Sequence, residues 1–476
     1  MKKIGIIVFH YYLANSLSVI SSATILAKEG YDVHIFIDRF IYERSKASFD
    51  EDNISIHPID MSTDAYMHYA RNETALKGWQ AFTTNISAQL SDKKLSRRAS
   101  FLLRVIQLAN RNLQATKLKL TEKLTDLTMP LRYSSYERAF SRASINTIVN
   151  YTQQFFPFLV EFQQKIVEDL DEDYVCLLGV EPFGLIAATL AANACKEKRS
   201  IPTIYYNLEL RLEKECHTVE SRVLKSLERL CNQSCYLTIV QDKKRAKLLR
   251  DDNHLEKDSM ICIPVSGLAK PSHAKGEFLQ NTYGIPSEKK VLLYAGNLLP
   301  WALCVEMAQA AQNWNDDFVL VLHSWREDAT KDPYVNRIAR LADGRKVYLS
   351  LLHVDWQKMP ELLASADIGL SFYERLGENF YEIGHSSNKL VQYLQVGLPI
   401  ITSDFPSLKD VVAKYQCGEC ANGPDDIEKL ASKIFDDYER YRANAFRCYE
   451  DEYDFSKYFK KVIERIKEIE IRSSFE

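Results

Sequence analysis

The chain has 476 residues, of which 46% are hydrophobic and 26% charged, and its formal net charge is −3. That length suits two domains of ordinary size, and the composition is that of a soluble globular protein. The near-neutral balance argues against nucleic acid as a partner. Residues 3–9 form a continuous apolar run, as a buried parallel strand requires. A polar loop follows, with His10 at the strand's carboxyl end and Asn15 and Ser16 ahead of a helix over Leu17–Lys28. Gly30 stops that helix, and Val33–Ile37 reads as the second strand of a βαβ opening. His10 stands where α/β folds place ligands, although a lone histidine there can equally serve the structure.

From about residue 60 to 165 the periodicity becomes helical. Between residues 93 and 123 the charge is almost all basic, with Glu122 the single acid. Such a segment either lies on an anionic membrane surface or forms an inserted bundle with its charges in water. Alternation then resumes with a strand at Tyr174–Leu178, a loop Gly179–Gly184 and a buried helix Leu185–Cys195. The next strand, Ile201–Tyr206, runs into Asn207-Leu208-Glu209-Leu210. Glu181 and Glu209 thus follow consecutive strands, a placement that brings two carboxylates to one cleft edge. Each has a plainer reading as a helix cap or ion-pair member.

A polar stretch broken by Pro271, Gly276, Gly284 and Pro286 reads as a linker over 268–289. A second βα series follows, with strands at Val291–Ala295, Phe318–His323, Val347–Leu351 and Ile368–Phe372. Its most informative text is Ser386-Ser387-Asn388-Lys389-Leu390-Val391-Gln392-Tyr393-Leu394-Gln395-Val396-Gly397-Leu398-Pro399. The polar start caps a helix, Leu390, Val391 and Leu394 give it one apolar face, and Gly397 with Pro399 ends it. Such a helix offers open N–H groups and a positive dipole end to an anion. The tail Phe455–Ile471 is amphipathic.

Two negatives narrow the chemistry. Glycine is sparse, 16 residues of 476, about half the usual ~7%, and no glycine-rich phosphate loop follows the first strand. The ten cysteines include only two close pairs, Cys231/Cys235 and Cys417/Cys420, so no metal is expected and the thiols read as reduced. Lys2 and Lys3 lead into a short run that reads as a strand, not a signal peptide, and Phe183–Cys195 is too short to span a bilayer.

The stretch 386–401 resembles the donor-site signature of GT-B glycosyltransferases, above all the retaining family 4. Asn388, Lys389, Leu390, Tyr393, Leu394, Gly397, Pro399 and Ile401 match it, and Gln392 stands where that family has a ribose-binding glutamate. Tyr294-Ala295-Gly296-Asn297 is similar to the family's phosphate turn, with Asn297 in place of its arginine and Ala302 in place of its lysine. Leu351-Leu352-His353-Val354 matches the base-reading segment, and Glu209 matches a glutamate that ends a family segment. Glu374 and Glu382 imitate a known E-x7-E spacing in the wrong register.

The resemblance implies an α/β fold of two doubly wound, Rossmann-like domains facing a cleft. The expected layout is an acceptor-side domain over 1–267 with a helical insertion at about 60–165, the linker, a donor domain over 290–450, and a tail over 451–476 that crosses back. It implies a transferase that moves a sugar from a nucleotide-diphosphate donor to an acceptor hydroxyl of a glycan or lipid-linked glycan, with retention, no metal and no cofactor. Gly296, Asn297, His353, Ser386, Ser387, Asn388, Lys389 and Gln392 are the candidate donor-site residues. Glu181, Glu209, Arg326 and Lys389 are the catalytic candidates, and His10, Asn15 and Ser16 face the acceptor. The expected location is cytoplasmic, with contact at the inner membrane surface through 93–123. The losses at Asn297, Ala302 and Gln392 keep two alternatives open: a non-catalytic scaffold or accessory subunit, and a nucleotide-sugar epimerase.

Overall fold

The computed structural model describes residues 1–11, 13, 16–44, 46–62, 140, 144–196, 200–255, 259–324 and 331–473. Two parallel sheets organise them. The first holds β1 (Lys3–Val8), β2 (Asp32–Asp38), β3 (Ile54–Ile59), β4 (Tyr174–Val180), β5 (Thr203–Tyr206), β6 (Leu237–Val240) and β7 (Met260–Cys262), in the order β3-β2-β1-β4-β5-β6-β7. The second holds β8 (Lys290–Ala295), β9 (Phe318–His323), β10 (Val347–Ser350), β11 (Ile368–Ser371), β12 (Ile400–Ser403) and β13 (Gly418–Ala421), in the order β10-β9-β8-β11-β12-β13. Strands buried on both faces must be largely apolar, as β4 is, and as β1 is after Lys3 and β9 before His323. In each sheet the chain reverses direction beside its first strand, and that crevice is where such sheets bind ligands. In the first sheet the crevice lies between β1 and β4, where Val8 pairs with Val180. In the second it lies between β8 and β11. This is the two-domain GT-B architecture.

The helix Leu17–Lys28 stands as expected, and Gly30 takes a positive φ of 95°. The loop expected at Gly179–Gly184 does not exist. β4 continues to Val180, and a helix over Glu181–Ala194 starts at once. The two glycines serve packing instead. A Cβ on Gly179 would lie 2.5 Å from the Leu185 Cα, and one on Gly184 would lie 2.4 Å from the Ile7 carbonyl oxygen. Within the expected insertion, helices Ile145–Phe155 and Pro157–Asp169 pack against the Glu181–Ala194 helix in one core with Phe162, Ile166 and Leu185. The basic segment 93–123 lies outside the described residues. In the expected linker, a short helix Phe278–Tyr283 packs Leu279 into the second domain's core.

The chain's last helix, Phe455–Ser473, packs on the first domain. Phe455, Phe459, Val462, Ile463, Ile466 and Ile469 share one buried cluster with Ile4, Ile6 and Val8. No helix among the described residues is long and apolar enough to cross a membrane.

Candidate donor site between the domains

The helix Asn388–Gln395 begins at the cleft. Ser387 caps it, its hydroxyl accepting from the Leu390 N–H at 3.2 Å and meeting the Tyr373 hydroxyl at 2.5 Å. That hydroxyl therefore orders the helix start instead of facing a ligand. The Lys389 N–H precedes any intrahelical acceptor, as the first N–H groups of a helix do. Gly397 ends the helix at a φ of +72°, and a Cβ there would sit 2.3 Å from the Phe446 ring. Tyr393 ties the helix to the sheet: its hydroxyl accepts from the Ala295 N–H at 2.8 Å and donates to the Leu370 carbonyl at 3.3 Å. Gly369 makes room, since a Cβ on it would meet the Tyr393 ring at 2.5 Å. The helix start, the β8 turn at Gly296 and the end of β11 are thereby held in one place.

Lys389 reaches into that place. Its Nζ donates to the Tyr294 hydroxyl at 3.0 Å. It also lies 4.3 Å from the Tyr294 ring centroid, 4.4 Å from that of Tyr373 and 5.2 Å from that of Trp301. Burial pushes its ammonium from the ordinary 10.5 down to about 7. Three aromatic faces favour the charged form, and among the described residues no carboxylate lies within salt-bridge reach of it. The turn beside it contributes Gly296, where a Cβ would lie 3.5 Å from the Lys389 Cε. A caged cation at a helix N-terminus is chemically suited to hold an anion.

The first domain supplies the facing wall. Glu181 stands in the left-handed region (φ 59°), a conformation that non-glycine residues adopt only under constraint. Its Oε1 accepts the N–H groups of Leu208 at 2.6 Å and Glu209 at 2.9 Å, which supplies that constraint. Burial first, and the Glu209 charge second, raise the Glu181 carboxyl to about 8. Glu181 therefore shapes the 207–210 loop. Glu209 is exposed and accepts from the Asn379 Nδ2 at 2.5 Å, across the domain boundary. Also crossing that boundary, the Val265 N–H donates to the His385 carbonyl at 2.8 Å. A cavity of about 20 Å³ remains between the walls, lined by Tyr11, Ser16, Ser18 and Glu209 on one side and Ser386 and Asn388 on the other. The gap beside the Asn388–Gln395 helix is thus present but narrow.

The other candidates fall as follows. Ser386 lines the cleft, but its hydroxyl accepts from Arg245 at 3.0 Å. Gln392 is half-buried one turn after Asn388 and shares its helix face. His353 is exposed in the loop after β10, 4.0 Å from Asp355. His10 has a φ of 55°, and its N–H donates to Asp38 at 2.9 Å, which fixes the end of β1. Asn297 is exposed, and its carbonyl accepts from the Tyr294 hydroxyl at 2.9 Å. Ala302 is fully buried among Leu298 and Cys304, where a cation would lose its water. Glu382 is buried 3.9 Å from Lys244, away from the role its spacing imitates. Asn15 and Arg326 lie outside the described residues, so Lys389 is the described cation among the catalytic candidates. Sequence reasoning missed Tyr294, Trp301 and Tyr373 as a cage, and it missed Arg245 and Asn379 altogether. Tyr294 is adjacent to the recognised turn, which was a usable signal. Arg245 lies in the Lys-Lys-Arg start of a helix over Lys243–Asn253, which reads as a solvated face.

Residues 276–445 match the family described as "Glycosyl transferases group 1". No curated protein matches the chain in sequence. Among solved structures, the chain is similar to HepE of Anabaena in complex with UDP and glucose, with a TM-score of 0.61 at 12% identity over 98% of this chain and 100% of that one. It is also similar to the sucrose-phosphate synthase of Thermosynechococcus elongatus, with a TM-score of 0.58 at 10% identity over 100% and 99% of the two chains. An α,α-trehalose-phosphate synthase (UDP-forming) from Burkholderia vietnamiensis follows at a TM-score of 0.55 and 10% identity, over 98% and 100%. The match to that family thus lies in the second domain of a chain whose fold is similar to these GT-B structures.

Proposed function

We propose that the protein transfers a sugar from a nucleotide-diphosphate sugar to an acceptor hydroxyl, with retention at the anomeric carbon. The observation that carries this reading is the caged Lys389 ammonium at the start of the Asn388–Gln395 helix. The leaving diphosphate gains negative charge as the glycosidic bond breaks. An ammonium held beside the diphosphate at a helix N-terminus lowers that barrier most where water is excluded. Gly296 lets the backbone approach the diphosphate, Asn388 and Lys389 hold it, and Gln392 meets the ribose by hydrogen bonds alone. Glu209 orients the acceptor hydroxyl from the opposite wall. The UDP and glucose bound by HepE support a uridine-type donor as the first to be tried. The acceptor class is a growing polysaccharide, lipid-linked or protein glycan, reached from the cytoplasmic side and, through segment 93–123, at a membrane surface. Lys389→Ala should cut donor turnover by on the order of 100-fold with the folded state retained. Unchanged turnover removes Lys389 from the site.

A non-catalytic scaffold is the second reading. The narrow cavity and the buried Ala302 favour it. Calorimetric titration with nucleotide-sugars separates the two, because a scaffold gives no heat of binding and no release of nucleotide.

A further inference from the structure

Arg245 is fully buried, yet it belongs to neither candidate set. It comes from the first turn of a first-domain helix whose cap, Asp242, accepts the Arg245 N–H at 2.9 Å. Its Nη2 donates to the Leu208 carbonyl and to the Asn379 Oδ1, both at 2.8 Å. Its Nη1 donates to the Ser386 hydroxyl at 3.0 Å and to the Asn379 and Glu382 carbonyls, both at 3.3 Å. One guanidinium therefore holds the loop that carries Glu209 and the segment that starts the phosphate helix. Asn379 completes the bridge, donating to Glu209 and accepting from the Leu210 N–H at 2.8 Å. A buried cation is costly, and surface closure alone would not demand one. The planar fork suits several acceptors at once, which an ammonium cannot match.

We infer that Arg245 is a positioning residue for the transfer reaction: it sets the span between the acceptor-side carboxylate Glu209 and the donor-side helix at Ser386–Lys389. This rests on the sugar-transfer reading above. Reacting groups displaced by about 1 Å lose on the order of 100-fold in rate, so Arg245 acts on rate more than on donor affinity.

The test compares the unaltered protein with Arg245→Lys and Asn379→Ala. The measurements are UDP affinity by calorimetry, transfer against donor hydrolysis, and radius of gyration by small-angle scattering. Arg245→Lys keeps the charge but not the fork. Its transfer rate should fall on the order of 100-fold, its UDP affinity should stay within about threefold, hydrolysis should gain on transfer, and the radius should grow. Asn379→Ala leaves Arg245 on Leu208 and Ser386 and should show the same split in milder form, so it carries the test if Arg245→Lys fails to fold. UDP affinity and transfer falling in parallel, or all readings unchanged, overturns the inference. If the unaltered protein neither binds UDP nor transfers, the transfer reading fails instead, and scattering alone then decides whether Arg245 holds the domains together.

Discussion

Donor binding should take up a proton, and Lys389 should be the group that accepts it. Burial, with no carboxylate to oppose it, pushes its ammonium down to about 7. At pH 8 about 0.9 of the molecules then carry a neutral amine, and at pH 6 only about 0.1 do. A diphosphate charge about 4 Å away stabilises the ammonium by roughly 4 kcal/mol at an effective dielectric of 20. That returns its pKa to about 10. The bound state therefore holds one more proton between pH 7 and 10, so affinity should weaken about tenfold per pH unit across that window. The assay is calorimetry of UDP binding at pH 8 in buffers of differing ionisation enthalpy. The expected uptake approaches one proton, with little at pH 6 once the phosphate's own titration is subtracted using Lys389→Met. Zero uptake at pH 8, or equal uptake by the Met variant, refutes the argument that burial holds Lys389 below its ordinary value and that an anion beside it restores its charge.

Other expectations follow from the packing. Glu452 accepts from His385 at 2.9 Å, Tyr415 at 2.8 Å and Lys414 at 2.5 Å, and His385 above all holds its carboxyl well below the usual range. A depressed carboxyl contributes stability above its unfolded pKa and loses it as pH falls through the folded one. Glu452→Gln should therefore cost roughly 2–4 kcal/mol at pH 7 and flatten the acid limb of stability measured by urea unfolding; an unchanged limb contradicts the assignment. Gly369→Ala places a Cβ 2.5 Å from the Tyr393 ring. It should cost roughly 1–3 kcal/mol and weaken UDP binding through the displaced helix, so a variant with native affinity would show that Tyr393 is not the tether. Phe459→Ala empties a fully buried site in the first domain's core. A loss of roughly 3–5 kcal/mol is expected, whereas a change under about 1 kcal/mol would mean that the tail packs loosely.

Much of the fold was legible because its signals are local. The apolar runs of β1, β8 and β9, the capped helix at Ser387 and the stop at Gly397 are each written within a few neighbouring residues. The helix Pro406–Tyr415, the strand β13 and the helix Tyr438–Glu452 were not read in advance. The β13 text, Gly-Glu-Cys-Ala, has no apolar run to announce a strand, and it is one because β12 pairs with it. Gly179 and Gly184 look like loop residues by composition, but the loop reading fails because a helix and a strand approach too closely there for any Cβ.

Local order determined the elements and the capped helix start at Ser387, because caps, apolar periodicity and glycine stops act within one turn of the chain. Tertiary structure decided which side chains face the cleft. Lys389 becomes a caged cation only when β8, β11 and the Pro300–Ala302 turn bring Tyr294, Tyr373 and Trp301 around it. Arg245 becomes a bridge only when Asn379 and Ser386, more than a hundred residues away, meet its guanidinium. A charge in sequence has no fixed solvation; its surroundings set whether it is a surface residue or a working one.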